Sequence, residues 1–250
     1  MDLYEELASE AAETSETIGK PSEEIIGEGL TRLSFRAEKP FASFSLFRGK
    51  GEYQTILING NLLEISELSE GISFAVAESA RSLAKGKKKR VLAVGLGNPF
   101  AVADALGSET VKRLDPGKKG KARFFILSPS VFGLTGIESA EVARGVAKEI
   151  NPDLVLAVDT LATRKVDRLC RAVQITNAGI APGGGVGNER IGLTEETVGV
   201  PVLSVGVPLL CHARFFEPLP SSLVVAPKEI DLYVSAFASA LAKGIEKAFL

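Results

Sequence analysis

The feature that most restricts how this chain can fold is a series of short runs that are apolar at successive positions. TILI (55–58), VLAVG (91–95), RFFIL (123–127), LVLAV (154–158), AVQIT (172–176), VLSVG (202–206) and LVVA (223–226) share this form. A strand with one wet face alternates apolar and polar residues. A strand covered on both faces does not, and that covering comes from helices packed on a parallel sheet. Between the runs lie stretches with apolar residues at helical spacing, at 71–85, 101–114, 137–150 and the closing 228–250. This order predicts an α/β fold with a mostly parallel central sheet flanked by helices. A chain of 250 residues is long enough for one such core. No repeat of solenoid length is present.

The first 50 residues read differently. They open on the acidic stretch MDLYEELASEAAETSE, and Lys20-Pro21 interrupts any helix there. A solvated helix or a stretch without fixed structure is expected at the start. The expected organisation is therefore an acidic, propeptide-like segment at 1–50 and one α/β domain at 51–250.

Composition excludes several classes of function. The formal net charge of −2 gives no overall pull towards nucleic acid. KGKKKR (85–90) reads as a solvated loop between a helix and a strand, because no aromatic residue is interleaved. The N-terminus lacks the basic start and apolar core of a signal peptide. No apolar run approaches the roughly 20 residues that span a bilayer. Cys170 and Cys211 make no disulfide framework and fit a reducing interior. The expectation is a cytoplasmic protein with no membrane and no nucleic-acid partner.

Chemistry concentrates in two places. VGLGNPFAVADALG (94–107) opens like a phosphate-binding turn, yet Phe100 stands where the third glycine of a dinucleotide fingerprint belongs. No Gly-Lys-Ser or Gly-Lys-Thr occurs, so no P-loop is present. What remains is a strand, a tight turn at Gly95–Gly97, a helix start at Asn98-Pro99, and Asp104 among apolar neighbours. In open α/β sheets, reactive groups collect at that carboxyl end. LVLAVDTLATR (154–164) repeats the arrangement, with Asp159 at the end of an apolar run. Asp159 or Thr160 is also placed to cap a helix through 164–171.

Two carboxylates facing one cavity cannot easily both ionise. The charged one deprotonates water and the neutral one donates to a peptide carbonyl, without metal or cofactor. A single histidine, His212, leaves no multi-histidine zinc site. No Gly-x-Ser-x-Gly elbow occurs. Cys211 and His212 are sequence neighbours that point to opposite faces of an extended chain, a poor nucleophile–base pair. Both cysteines read as packing residues. After AVQIT comes a loop in which Gly183, Gly184, Gly185 and Gly187 let the backbone approach a ligand closely.

Four segments in order, VGLGNPFAVADALG, SPSVFGLTGIESAEV, NPDLVLAVDTLATR and NAGIAPGGGVGNERIGLTEETVGVPVLSVGVP, resemble the germination protease family of spore-forming bacteria. The likeness runs from Tyr53 to Pro208. It implies a phosphorylase-like, hydrogenase-maturation-protease-like α/β fold and an atypical aspartic endopeptidase. It implies small acid-soluble spore proteins as substrates, a zymogen, a homotetramer and a place inside the spore or forespore. The family's two essential aspartates fall on Asp104 and Asp159. Asn98, the glycines at 183, 184, 185 and 187, and Asn188 match family motifs and are expected to bind substrate.

The sequence departs from the family in four ways. The chain is shorter, APGGGVGN stands for HPGSGVGN, Thr160 replaces alanine, and the first 50 residues fall outside the motifs. Family substrates resemble one another in being cut after Glu and before a large apolar residue. SEEIIGE (22–28) has that form, which implies self-processing between Glu24 and Ile25. Two other functions remain open at this stage. One is a maturation endopeptidase that trims the tail of a metalloenzyme subunit. The other is a binding module that keeps the fold without turnover.

Overall fold

The computed structural model describes residues 7–14, 18, 20–43, 46–59, 69–86, 88–116, 122–181, 191–212 and 223–249. The apolar runs all become strands. In chain order the sheet contains β1 (Ser22–Gly27), β2 (Leu30–Ala37), β5 (Gly51–Ile58), β6 (Arg90–Gly95), β7 (Arg123–Leu127), β8 (Leu154–Thr163), β9 (Ala172–Thr176), β10 (Val202–His212) and β11 (Val224–Val225). A separate hairpin pairs β3 (Phe41–Ser43) with β4 (Leu46–Arg48). Across the main sheet the order is β1-β2-β5-β9-β10-β8-β6-β7, with β11 paired to β10.

Residues of β8 show why the runs do not alternate. Leu154, Leu156 and Val158 pack on one face and Val155, Ala157 and Leu161 on the other. The first face is covered by α2 (Ser69–Ala84), α3 (Leu106–Val111) and α7 (Ile230–Phe249). The second is covered by α5 (Ser139–Ile150), which follows the short α4 (Phe132–Thr135), through Ala140, Ala143 and Ala147, and by Leu7; the short α6 (Glu195–Val198) precedes β10. Each face is apolar because each is buried.

The α/β architecture is as expected, and the parallel part is β10, β8, β6 and β7. β9 runs antiparallel to β10, and β5, β2 and β1 continue antiparallel beyond it. Connection length explains the reversal. Only eight residues (164 to 171) separate β8 from β9, whereas a parallel crossover needs a dozen or more.

Three local expectations are corrected. The stretch 101–114 is not one helix but a 3-10 turn, Val102–Asp104, followed by α3. The stretch 164–171 holds only a 3-10 turn, Val166–Arg168, and then Cys170 at φ 56°. Asp159 caps no helix, because β8 continues four residues past it to Thr163.

Residues 7–10, near the start of the N-terminal segment, are buried and not solvated. Leu7, Ser9 and Glu10 are buried at the start of α1 (Ala8–Thr14). Leu7 donates its backbone N–H to the Ala162 carbonyl at 3.2 Å, and Ala8 donates to Gln174 Oε1 at 2.5 Å. The Glu10 carboxylate accepts from the Thr163 hydroxyl and, at 2.9 Å, from the Arg164 backbone N–H. β1 and β2, also within the first 50 residues, belong to the main sheet.

Helix α7 lies against α2 with Gly244 at the crossing. A Cβ at this position would lie 2.8 Å from the Ser73 carbonyl oxygen and 2.9 Å from the Val76 side chain. Glycine inside an exposed helix costs about 1 kcal/mol relative to alanine. Here the close helix contact reverses the sign. Gly244→Ala is expected to destabilise the protein by about 1–3 kcal/mol in urea unfolding, despite its better helix propensity.

Candidate functional site

Asp104 ends the 3-10 turn that follows β6. The turn is built from local hydrogen bonds. The Phe100 N–H donates to Asn98 Oδ1 at 3.0 Å, the Ala101 N–H to the Asn98 carbonyl at 3.1 Å, and the Asp104 N–H to the Ala101 carbonyl at 2.8 Å. Asn98 thus nucleates the turn with its own side chain, as Asn does at such positions. Its backbone N–H then reaches back to Asp104 Oδ2 at 2.8 Å. Gly97 makes this possible. It sits at φ +92°, and a Cβ there would lie 2.1 Å from the Asp104 carbonyl oxygen. Only glycine tolerates both conditions.

Burial pushes the Asp104 carboxyl up to about 6, against the opposing pull of the Asn98 N–H. The cause is loss of hydration of the charged form.

Asp159 lies within β8 and is only 6% exposed. Its Oδ1 accepts from the Thr160 N–H at 2.8 Å. In a strand, alternate side chains share a face. Ala157 and Leu161 both pack on the α5 face, so Asp159 between them points that way. Its register partner on β10 is Gly206, which adds no side chain beside it. Ile180 and Leu193 pack on the same face, and two backbone hydrogen bonds join them at the stem of the glycine-rich loop. Gly183, Gly184, Gly185, Gly187 and Asn188 lie outside the described residues.

The two acids are linked through one backbone junction. The Leu96 N–H donates to the Val158 carbonyl at 2.8 Å. Val158 precedes Asp159, and Leu96 stands two residues before Asn98, which holds Asp104. The 3-10 turn packs against both β8 and β10. Helix α3 lies on this junction through Gly107. A Cβ on Gly107 would lie 2.3 Å from the Val158 carbonyl oxygen, 2.4 Å from that of Leu96 and 2.5 Å from the Leu96 nitrogen. Gly107 therefore provides the close helix–strand packing that a dinucleotide fingerprint assigns to an earlier glycine. Sequence reasoning missed it. Its one signal was a glycine inside a helical pattern, where alanine is the better helix former.

Glu10 and Gln174 were also missed. Neither carries a motif, and each acquires its partners only when α1 meets the sheet. Burial pushes the Cys170 thiol up to about 12 and that of Cys211 to about 11, which suits packing and not nucleophilic attack. Among the described residues, no group of three or more His, Cys, Asp or Glu side chains is placed to hold a metal ion.

Two stability outcomes follow from this geometry. Gly107→Ala meets three rigid backbone atoms and is expected to cost about 3 kcal/mol or more in chemical unfolding. Asp104→Asn should act in the opposite direction. Native Asp104 holds a proton up to pH about 6, and its ordinary value is 3.8. Between those values the native state binds more protons than the unfolded chain, so stability falls as pH rises through the window. The asparagine removes that cost and still accepts from the Asn98 N–H. It should therefore gain about 1–2 kcal/mol at pH 7.5 and nothing at pH 4, as thermal unfolding at the two pH values will report.

Comparison with known proteins identifies the family. The sequence profile described as Germination protease matches residues 42–217. A germination protease of Caldanaerobacter subterraneus is 32% identical over an alignment that covers 99% of this chain and 94% of the relative. The region before residue 50 is thus part of the similarity. Germination proteases of Clostridium perfringens and Bacillus subtilis are each 36% identical over 59% of this chain. Those matches span about half of the relatives' own length, 49% and 44%. Among solved structures, the NiFe hydrogenase maturation protease HycI from Thermococcus kodakarensis superposes with a TM-score of 0.43 at 21% identity, over 66% of this chain and 97% of that one. On the profile match and the near full-length relative, this chain belongs to the germination protease family.

Proposed function

We propose that this protein is an endopeptidase that hydrolyses small acid-soluble spore proteins through Asp104 and Asp159. The observation that carries the reading is the shared junction at Leu96–Val158, which ties the turn of one acid to the strand of the other. Both carboxyls are partly or wholly buried, and that of Asp104 is held near 6, where a small change in surroundings decides whether it donates or accepts a proton.

The reaction moves protons in two stages, the addition of water and the collapse of the tetrahedral carbon. The ionised carboxylate takes a proton from water as the oxygen attacks the peptide carbonyl carbon. The protonated carboxyl donates to the carbonyl oxygen. When the tetrahedral carbon collapses, the C–N bond breaks, the leaving nitrogen takes a proton from the carboxyl that had become protonated, and a hydroxyl of the tetrahedral carbon returns its proton to the other carboxylate as C=O reforms. A pair like this titrates as a unit. Asn98 contributes by holding Asp104 in place, and the loop 183–188 is assigned to the substrate main chain through its glycines.

The N-terminal segment fits a precursor. The Glu24–Ile25 bond lies in edge strand β1, where both residues are exposed, Ile25 by 83%. Cleavage there would release α1 from the end of β8 and from Gln174, on the face that Asp159 shares. Active enzyme is expected to begin at Ile25, and an intact N-terminus in fully active material, read by mass spectrometry, would rule this processing out.

Intact masses of a small acid-soluble spore protein, incubated with wild type, Asp104→Asn and Asp159→Asn, test the central reading. Cleavage by wild type alone is expected, with each variant reduced at least 1000-fold. Equal cleavage by all three places the chemistry elsewhere. The pH profile of kcat/KM should carry a limb near pH 6 from Asp104. An activity that rises through it makes Asp104 the base, one that falls makes it the acid, and a flat profile from pH 5 to 7 removes Asp104 from the reaction.

A further inference from the structure

The basic run before β6 has a counterpart that only the fold reveals. β6 and β7 pair in parallel, with Arg90 directly opposite Arg123. The Arg123 N–H donates to the Lys89 carbonyl at 2.7 Å, so the chain before β6 is already bound to the start of β7. Between the two arginines lies Phe125, with both guanidinium carbons 4.9 Å from its ring centroid. This is the aromatic element that the sequence run lacks. It gives the two guanidinium groups a fixed platform through cation–π contact.

Other described groups adjoin this pair. Arg90 also donates to the Ile150 carbonyl and, at 3.3 Å, to the Asn151 carbonyl, which close the end of α5. Those acceptors are neutral, and the nearby opposite charge that Arg90 meets is that of Asp153. Lys89 is exposed and Lys88 half-buried. Asp153 accepts from the backbone N–H groups of Lys89 and Arg90 at 2.7 and 2.9 Å, and its carboxyl is held below the ordinary value. Lys148 and Glu149, both exposed in the last turn of α5, offset one another. Among the described residues at the starts of β6 and β7, Lys88, Lys89, Arg90 and Arg123 thus face one carboxylate, Asp153, on a chain whose net charge is −2. The pole is the amino end of β6 and β7, opposite the end that carries Asp104.

We propose that Lys88, Lys89, Arg90 and Arg123 form a docking surface for the phosphate backbone of duplex nucleic acid, independent of base sequence. Duplex DNA carries one negative charge per about 1.7 Å of its axis, so even a small cationic strip gains by displacing condensed counterions. An acidic protein segment seldom reaches that charge density. The docking leaves the Asp104 end free, so peptide cleavage and nucleic-acid binding occupy opposite poles of the sheet.

Fluorescence anisotropy with a labelled 20-base-pair DNA duplex and the full chain tests the proposal. Wild type is expected to bind at low salt, with log Kobs falling against log salt at a slope of about −3. The variant Lys88→Glu/Lys89→Glu/Arg123→Glu should weaken binding at least 30-fold. Arg90 is left in place because it closes α5. A control, Lys20→Glu/Arg36→Glu/Lys39→Glu, changes net charge equally at exposed positions far across the sheet and should retain near wild-type binding. Absence of binding by wild type at about 20 mM salt overturns the proposal. So does equal loss in the control, which would make bulk charge responsible. Equal binding of a poly-glutamate peptide overturns it in favour of an acidic protein partner. Circular dichroism of both variants checks that they are folded, and Arg123→Gln alone, which should cost a few-fold, replaces the triple variant if it is not.

Discussion

A single hydrogen bond, from the Leu96 N–H to the Val158 carbonyl, holds together the region on which the proposed chemistry depends. It extends the β6–β8 ladder one step beyond the last paired residues, Gly95 and Val158. Past it, β6 turns away at Gly97 while β8 continues to Thr163. That divergence opens the sheet where an acid from the turn and an acid from the strand both arise. Gly107 keeps the first residues of α3 against the same bond, where any side chain would strike backbone atoms. Close packing therefore lies beside a carboxyl that burial pushes up. A rigid junction can support a half-buried acid that is unfavourable on its own.

The two acids reach this region by different routes. Asp104 is placed by local chemistry: an Asn side chain that caps a turn, a glycine at positive φ, and a backbone N–H that reaches back to the carboxylate. Asp159 is placed by sheet register. It stands opposite Gly206 and faces the side on which α5, the N-terminal residues and the stem of the glycine-rich loop gather. Substituting the turn would disturb one acid alone, whereas a register shift in β8 would reverse the facing of the other.

Much of this was legible in the sequence. Runs that are apolar at successive positions announced strands, and all of them appear, with β7 and β11 only partly buried. Asp104 and Asp159 stood out because carboxylates among apolar residues need a partner or a role. The N-terminal region was misread because its composition is acidic and polar. Glu10 becomes a buried acceptor only when Thr163 and the Arg164 N–H are brought to it. The helix expected at 164–171 failed for a topological reason, since the chain had to turn back within eight residues.

By itself the sequence determined where the apolar runs form strands, which turn carries the first acid, and which family the motifs resemble. These depend on local patterns, and local patterns are written in consecutive residues. Only the tertiary structure decided that β9 returns antiparallel, that Gly107 touches Val158, and that Arg90 lies opposite Arg123 across Phe125. Each of these is a contact between segments distant along the chain. Strand order and register set such contacts, and neither is encoded by any one segment, because both follow from how all the apolar faces are covered at once.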